Sequence, residues 1–500
     1  MRSPREFRAT PNMLEQNGFS STKDFRPWPD GIDRQRRTYG GELPVTAGAE
    51  LAISQGITTI HPLIGCVTQP HTATVRSELR RDGTQDVFHD TVDRVKCRSV
   101  LPSATLSLGG ELRERFEAAE NPGFGLKHAS DHVFLHRVLL HGDVRFNEAL
   151  RGFVQFGYDN ETARPHGPPA TNVNKFDITL GFVDLSLPTA LGPLVARAGR
   201  QELSFGSQRL VSVRESPNIR RSFDGGRVLW SADGYHLDAF YVRPVSVHHN
   251  AFDDTSNGSE SLSGLYATGP VPGTAALKID VYFFEYLRDA GRFAIGTARE
   301  RRHSLGTRLF GRKGALDWNI EGVYQLGSFG PRDIKAWTLA TDVGLNFDTV
   351  ALKPRFGLKA DIASGNRHVG QSSLGTFNAL YPKLPYFSDA NLIAPANVID
   401  LHPDLRLQLA PALQVTIGWD LLWRETTRDA VYAPPLLPLP GTAGRPGHFI
   451  GQQAIGEVDW QLDQHLRLST QYVRFFRGAA LQSVHGRDVN FLYASITYKY

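Results

Sequence analysis

Between Leu352 and Ile362 the chain alternates without a break. Leu352, Pro354, Phe356, Leu358, Ala360 and Ile362 fall on one side of an extended strand, and Lys353, Arg355, Gly357, Lys359 and Asp361 on the other. Trp337, Leu339, Thr341, Val343, Leu345 and Phe347 alternate in the same way with Ala336, Thr338, Ala340, Asp342 and Asn346. The pattern begins near Ala104, where Leu106, Leu108, Gly110, Leu112 and Phe116 oppose Ser107, Gly109, Glu111, Arg113 and Arg115. In the next segment Phe134, Val138, Leu140, Val144 and Phe146 share a face. Such runs exceed the about five or six residues of a typical globular strand. They match the about 9–11 residues with which a tilted strand crosses a bilayer. The last ten residues behave alike: Leu492, Ala494, Ile496, Tyr498 and Tyr500 oppose Tyr493, Ser495, Thr497 and Lys499. A final strand ending on an aromatic residue is the expected closing strand of a barrel.

Composition does not oppose this. No run of about 18 apolar residues exists, which excludes helical membrane spans. Mean hydropathy is −0.29, as expected when half of every strand faces a polar lumen. The 29 Phe, 15 Tyr, 7 Trp and 48 Gly suit aromatic girdles and tight turns. A net charge of +4 implies no bulk attraction to nucleic acid. Cys66 and Cys97 show no metal-ligand spacing and read as isolated thiols rather than a disulfide.

Residues 1–103 stand apart as an amino-terminal extension without sustained periodicity, expected to be poorly ordered. Met1 is not followed by the apolar core of a secretory signal. The segment 51–66 comes nearest, but Gln55, His61 and Pro62 interrupt it, and its closing Leu63-Ile64-Gly65-Cys66 reads as a chance lipoprotein-like box. Residues 104–500 form the barrel. Short hairpin-like connectors at Asp233-Gly234 and Lys313-Gly314 contrast with long ones at 160–175, 204–225, 248–261, 365–397 and 426–448. At about 22 residues per strand and connector, the region predicts about 18 strands. The fold class is therefore all-β: a transmembrane antiparallel up-and-down β-barrel with long extracellular loops.

Three stretches carry a family resemblance. The first is Ala198 to Val228, where Gly199-Arg200-Gln201-Glu202 leads into an Arg-studded loop. The second runs from Ser364-Gly365-Asn366 through Thr376-Phe377-Asn378 and Leu380-Tyr381-Pro382 to Asp400-Leu401-His402-Pro403. The third is Trp423-Arg424-Glu425-Thr426 with Asp429, Val431 and Tyr432. In this order they resemble the alginate export family of bacterial outer-membrane barrels, over about residues 104–500. The resemblance implies an outer-membrane location and passive passage of an anionic polysaccharide such as alginate, or of related oligosaccharides. It also implies outer-membrane lipid and lipopolysaccharide as surroundings, and the barrel-assembly machinery as a partner of the last strand. No cofactor is expected. A general or small-solute porin of the same fold is the alternative.

A uronate polymer carries one carboxylate per ring, and arginine binds carboxylates bidentately. Arg200, Arg209, Arg214, Arg220, Arg221 and Arg227 crowd within 28 residues and are weighed as lumen lining against surface or structural ion pairs. Arg200 and Glu202 share a face and are expected to pair, whereas Arg220 and Arg221 diverge if extended. A charge on the lipid face at the midplane costs about 2–4 kcal/mol, which turns Lys353, Arg355 and Lys359 inward, with Arg137 and Arg145. Arg424, opposite Trp423, joins them. The predicted substrate-binding set is thus Arg137, Arg145, Arg200, Arg209, Arg214, Arg221, Lys353, Arg355, Lys359 and Arg424. An outer-membrane barrel enzyme is a remote alternative, since no nucleophile elbow or HExxH motif occurs. His132 and His136 would lie about 13 Å apart on a strand. His248, His249, Asp253 and Asp254 read as polar loop residues rather than a metal site.

Overall fold

The computed structural model describes residues 98–101, 103–126, 130–164, 167–367 and 372–500. Cys66, Cys97 and the segment 51–66 lie outside them. Eighteen long strands follow one another. They begin with β1 Ala104–Glu120, β2 Ser130–Arg145, β3 Leu150–Thr162, β4 Asn174–Leu187, β5 Leu194–Gln201 and β6 Phe223–Ala232. Next come β7 Tyr235–Ser246, β8 Glu260–Pro270, β9 Leu277–Phe293, β10 Gly296–Lys313, β11 Leu316–Phe329 and β12 Arg332–Asn346. The series ends with β13 Arg355–Ala363, β14 Val398–Ala410, β15 Leu413–Trp423, β16 Phe449–Gln461, β17 Leu466–Arg477 and β18 Val489–Lys499. Each pairs antiparallel with the next, and β1 pairs with β18 from Glu111↔Lys499 to Glu120↔Asn490. The sheet therefore closes on itself as an up-and-down barrel.

Strand polarity sorts the connections between two ends. One end holds only short turns, at 146–149, 188–193, 233–234, 271–276, 314–315, 347–354, 411–412 and 462–465. Asp233 and Gly234 both take positive φ (51° and 81°), the conformation that a two-residue hairpin turn requires. The other end carries the long connections 202–222, 247–259, 364–397 and 424–448, close to the expected spans. It also carries two tight ones, 294–295 and 330–331, where β9 to β12 themselves extend further.

The alternation read from sequence becomes an inside and an outside. Phe356 and Leu358 are 54% and 45% exposed, and Leu305 and Ile417 are 50% and 55%, all on the outer surface. Their neighbours Arg355, Asp404 and Asp420 are buried within. An apolar exterior around a charged interior suits a bilayer and is unfavourable in water. Leu358→Arg is expected to lower the unfolding free energy in lipid vesicles by about 2–4 kcal/mol, while Lys359→Arg, one residue along, leaves it unchanged. Denaturant titration of both variants checks this; equal stability would contradict the outward assignment.

Candidate transport lumen

The long connections 202–222, 364–397 and 424–448 do not project away from the barrel. They pack inside it, and inward-facing arginines hold them there, whereas most of 247–259 is exposed. Arg137 is fully buried and donates to the carbonyls of Asn218 (2.7 Å) and Pro217 (2.8 Å) and to the carboxylates of Glu215 (2.5 Å) and Glu111 (3.1 Å). Arg113 reaches the Glu215 carbonyl and Asn218 Oδ1. Asn218 Nδ2 in turn donates to the carbonyls of His136 and Asn160, each at 3.0 Å. The segment 202–222 is thus bolted to β1, β2 and β3. Arg115 ties β1 to Asp389 of the segment 364–397 at 2.9 Å, and Ser216 donates to the same carboxylate at 3.1 Å.

The two segments also pair with each other. Ser212 N–H donates to the Tyr381 carbonyl (2.9 Å), Tyr381 N–H to Leu210 (2.8 Å) and Lys383 N–H to Gln208 (2.8 Å). Around this ladder Leu203, Phe205, Leu210, Val211, Phe377 and Tyr381 bury against the wall residues Phe240, Tyr266 and Phe284. Phe205 stacks on Tyr266 at 4.8 Å. Each fully buried side chain of this size contributes about 1.5–3 kcal/mol, so the inserted segments are packed structure and not loose lids.

The segment 424–448 is organised by Arg424, which is 1% exposed and donates to the carbonyls of Thr427, Asp429, Thr442, Arg445 and Gly447. Asp429 then accepts from Thr376 Oγ1 (2.6 Å), the Asn366 N–H (2.8 Å) and Tyr432 (2.8 Å). The second and third stretches that carried the family resemblance therefore meet as one latch between two inserted segments.

The predicted cations fall into distinct groups. Arg137 and Arg424 anchor loops. Arg200 binds Asp224 at 2.9 Å, so the expected pairing with Glu202 is replaced: Glu202 binds Arg220 at 3.0 Å. Arg209 pairs with Glu321 at 3.0 Å, and Arg355 with Asp317 and Asp342 at 2.7 and 2.8 Å. Lys353 is a correction. The strand starts at Arg355, and Lys353 lies in the exposed turn 347–354 with φ 39°. Pro354 and the turn break the alternation that pointed Lys353 inward.

Besides Lys353 and Arg424, four of the predicted set keep no carboxylate within 4.0 Å among the described residues: Arg145 at the short-turn end of β2, Lys359 on β13, and Arg214 and Arg221 in 202–222. Burial holds the Arg214 guanidinium well below the ordinary arginine value, and the charge of Arg221 adds to this. Arg221 sits over the Tyr381 ring at 4.7 Å. Two unpaired cations were missed, Arg406 on β14 and Lys383 in 364–397. Arg406 alternates with Leu405 and Leu407, a signal the sequence did offer; Lys383 sits in a loop without one. Burial, followed by the charges of Arg209 and Lys359, pushes the Lys383 amine down to about 8. The same wall carries acids: Asp361 lies directly across from Asp400, with Asp420 on the next strand. The interior is of mixed sign.

Arg137→Ala removes the anchor, leaving Asp159 without its arginine and Glu111 and Glu215 with Lys499 and Arg220 (3.2 Å each) as their nearest remaining cations, a loss of about 3–5 kcal/mol for a broken buried pair. The segment 202–222 is expected to detach, raising single-channel conductance above that of the native protein while the barrel stays folded. Planar-bilayer recording checks it, and unchanged conductance would contradict the anchoring role.

A family model described as alginate export matches residues 104–495. No curated protein matches the chain. The fold is similar to that of a BenF-like porin from Pseudomonas fluorescens Pf-5, at 9% identity over 79% of this chain and 98% of that one, with a TM-score of 0.56. It is also similar to OccK3 (OpdO) of Pseudomonas aeruginosa, at 11% identity over 79% and 95% of the two chains, with a TM-score of 0.54. OpdK of Pseudomonas aeruginosa, solved with vanillate, gives 12% identity over 80% and 100%, with a TM-score of 0.53. A closed barrel with an apolar outer surface, the porin-like fold and the family match over nearly all of it agree: the chain belongs to the alginate export family of outer-membrane β-barrels.

Proposed function

We propose that this outer-membrane channel passes an acidic saccharide, a polyuronate such as alginate or its oligomers, along the wall formed by β13 to β16. The observation that supports this reading is the pairing of roles on that wall. Lys359 and Arg406 on the wall, and Lys383 on the segment 364–397, have no carboxylate within 4.0 Å among the described residues, so each can receive a sugar carboxylate. Glu457 on β16, half-buried, stands on the same wall as an acceptor for sugar hydroxyls, while Asp400, Asp420 and Gln453 are buried behind the inserted segment, Gln453 bound to Asp420 and Ser388. A charged polymer then exchanges hydration for contacts of both kinds as it moves, and no single contact holds it fast. The arginines already bound to acids or loop carbonyls position the wall and the inserted segments.

A second reading, a porin for small carboxylates, draws on the apolar packing of the inserted segments, which takes up space at one end of the barrel. The OpdK structure with vanillate is an instance of a small ligand in a similar fold. Both readings require anion binding in the lumen; they differ in the length of solute admitted.

Reversal potentials in a salt gradient are expected to show anion preference that Lys359→Glu and Arg406→Glu weaken and Lys353→Glu leaves alone. Added oligouronates should block the current under the first reading, and only monomers under the second. Cation preference in the native channel would end both. Lys383 is charged below a pH of about 8 and neutral above it. Raising the pH from 7 to 9 therefore removes a positive charge, and anion preference should fall across that window. Lys383→Met should flatten the profile; a profile that the substitution leaves unaltered would remove Lys383 from the path.

A further inference from the structure

The connection 247–259 leaves β7 and returns to β8, yet its tip lands on the start of β4, three strands away in the barrel order. There Asp253 and Asp254 meet Asp177, and one oxygen from each carboxylate lies within 4.8 Å of the other two. Asp177 is 3% exposed. Bringing two partly exposed carboxylates against a buried one is unfavourable unless a cation compensates them. Arg200 fills that role only in part. It stands 3.9 Å from Asp177 and directs its donors to Asp224 at 2.9 Å, the Ile178 carbonyl at 2.8 Å and the Asp254 carbonyl at 3.4 Å.

A second observation concerns oxygen atoms without partners. Asn174 is 1% exposed and donates through Nδ2 to Asp254 Oδ2 at 2.8 Å, so its amide is held against the cluster. The Oδ1 on that same amide has no hydrogen-bond partner, and neither does the occluded Oδ1 of Asp253. A buried acceptor left open costs about 1–3 kcal/mol. The other carboxylate oxygens accept N–H bonds from Ile178, Asp254, Asn250 and His248, which orient them, and these two acceptors are left open beside them.

We propose that Asp177, Asp253, Asp254 and Asn174 form a calcium site that clamps the 247–259 connection across the ends of β5 and β6. The donors are all hard oxygens, which excludes the thiolate and imidazole sites favoured by zinc or copper. Calcium takes carboxylate and amide oxygens at about 2.3–2.6 Å in a flexible shell. Ligands on opposite sides of such an ion stand about 5 Å apart, in keeping with the span of the cluster. Magnesium demands a tighter octahedron and gives up water reluctantly, so it should compete poorly. Sequence spacing could not reveal the site. Asn174 and Asp177 lie far along the chain from Asp253 and Asp254, and only the fold brings them together.

The test is calorimetric titration of calcium chloride into the chelator-treated, detergent-solubilised full chain. One saturable equivalent is expected, weakened about ten-fold or more by Asp253→Asn and by Asp254→Asn and unaffected by Asp348→Asn in a short turn at the other end. Heat-modifiable gel mobility confirms that each variant is a folded barrel. Absence of saturable binding to the folded native chain, or undiminished binding in both loop variants, would overturn the site. Tighter binding of magnesium than of calcium would overturn the choice of ion.

Discussion

Lipid offers no hydrogen bonds, so a sheet immersed in it has to satisfy every strand edge internally. In this chain that demand is met at the seam between β1 and β18, and everything else is arranged around it. Beyond their paired residues, Gly110 and Tyr500 exchange two backbone bonds of 3.2 Å each. A Cβ at position 110 would come within 2.6 Å of the Tyr500 side chain and 2.5 Å of the Leu139 carbonyl, so the closing residue lies where only glycine admits it. Once the seam fixes which way Leu112 and Ile496 point, register fixes the facing of every other strand. A one-residue slip would turn a charged face into the bilayer.

Enclosing charge has its own consequence. Most inward arginines join carboxylates on neighbouring strands, and these contacts staple the wall. Asp184 on β4 accepts from Arg151 of β3 and Arg197 of β5, at 3.1 and 2.7 Å. Arg308 of β10 binds Asp280 of β9 at 2.5 Å. Such pairs offset the unfavourable desolvation of each partner and add little further stability. They also spend the cations that a reading of the sequence would assign to solute. The positive residues left for transport are fewer than the arginine count suggests, and lysine is prominent among them.

The architecture was legible because a two-residue period is a direct record of two environments. Strand positions, the contrast between short and long connections and the inward turn of Arg137, Arg355 and Lys359 all followed from it. The site was legible only in part. Alternation says that a side chain faces inward, but not whether Asp342 or a sugar carboxylate waits there. It also fails at turns, as Lys353 shows. Loop residues such as Arg214, Arg221 and Lys383 have no period, so their placement depends on contacts distant in sequence.

Where the alternation weakens, it still holds information. Val281-Tyr282-Phe283-Phe284 is apolar on both faces, and so are Phe240 and Val242 with their outward neighbours Ala239 and Tyr241. An inward aromatic inside a water-filled lumen would be costly, so these stretches mark where the barrel is not filled with water. They are where the segments 202–222 and 364–397 bury Phe205, Leu210 and Phe377. The apolar part of the inserted segments therefore packs on the β7 to β9 side, while polar contacts hold the same segments to β1 to β3 and, through Tyr386–Asp361 and Ser388–Gln453, to β13 and β16. On β13 to β16 the inward positions include Lys359, Asp400, Arg406, Asp420 and Glu457, with the apolar Ala363, Val398, Leu422 and Ile450 toward the end that carries the inserted segments. The contrast between an apolar and a more polar inner surface is written into which strands keep a strict period and which lose it.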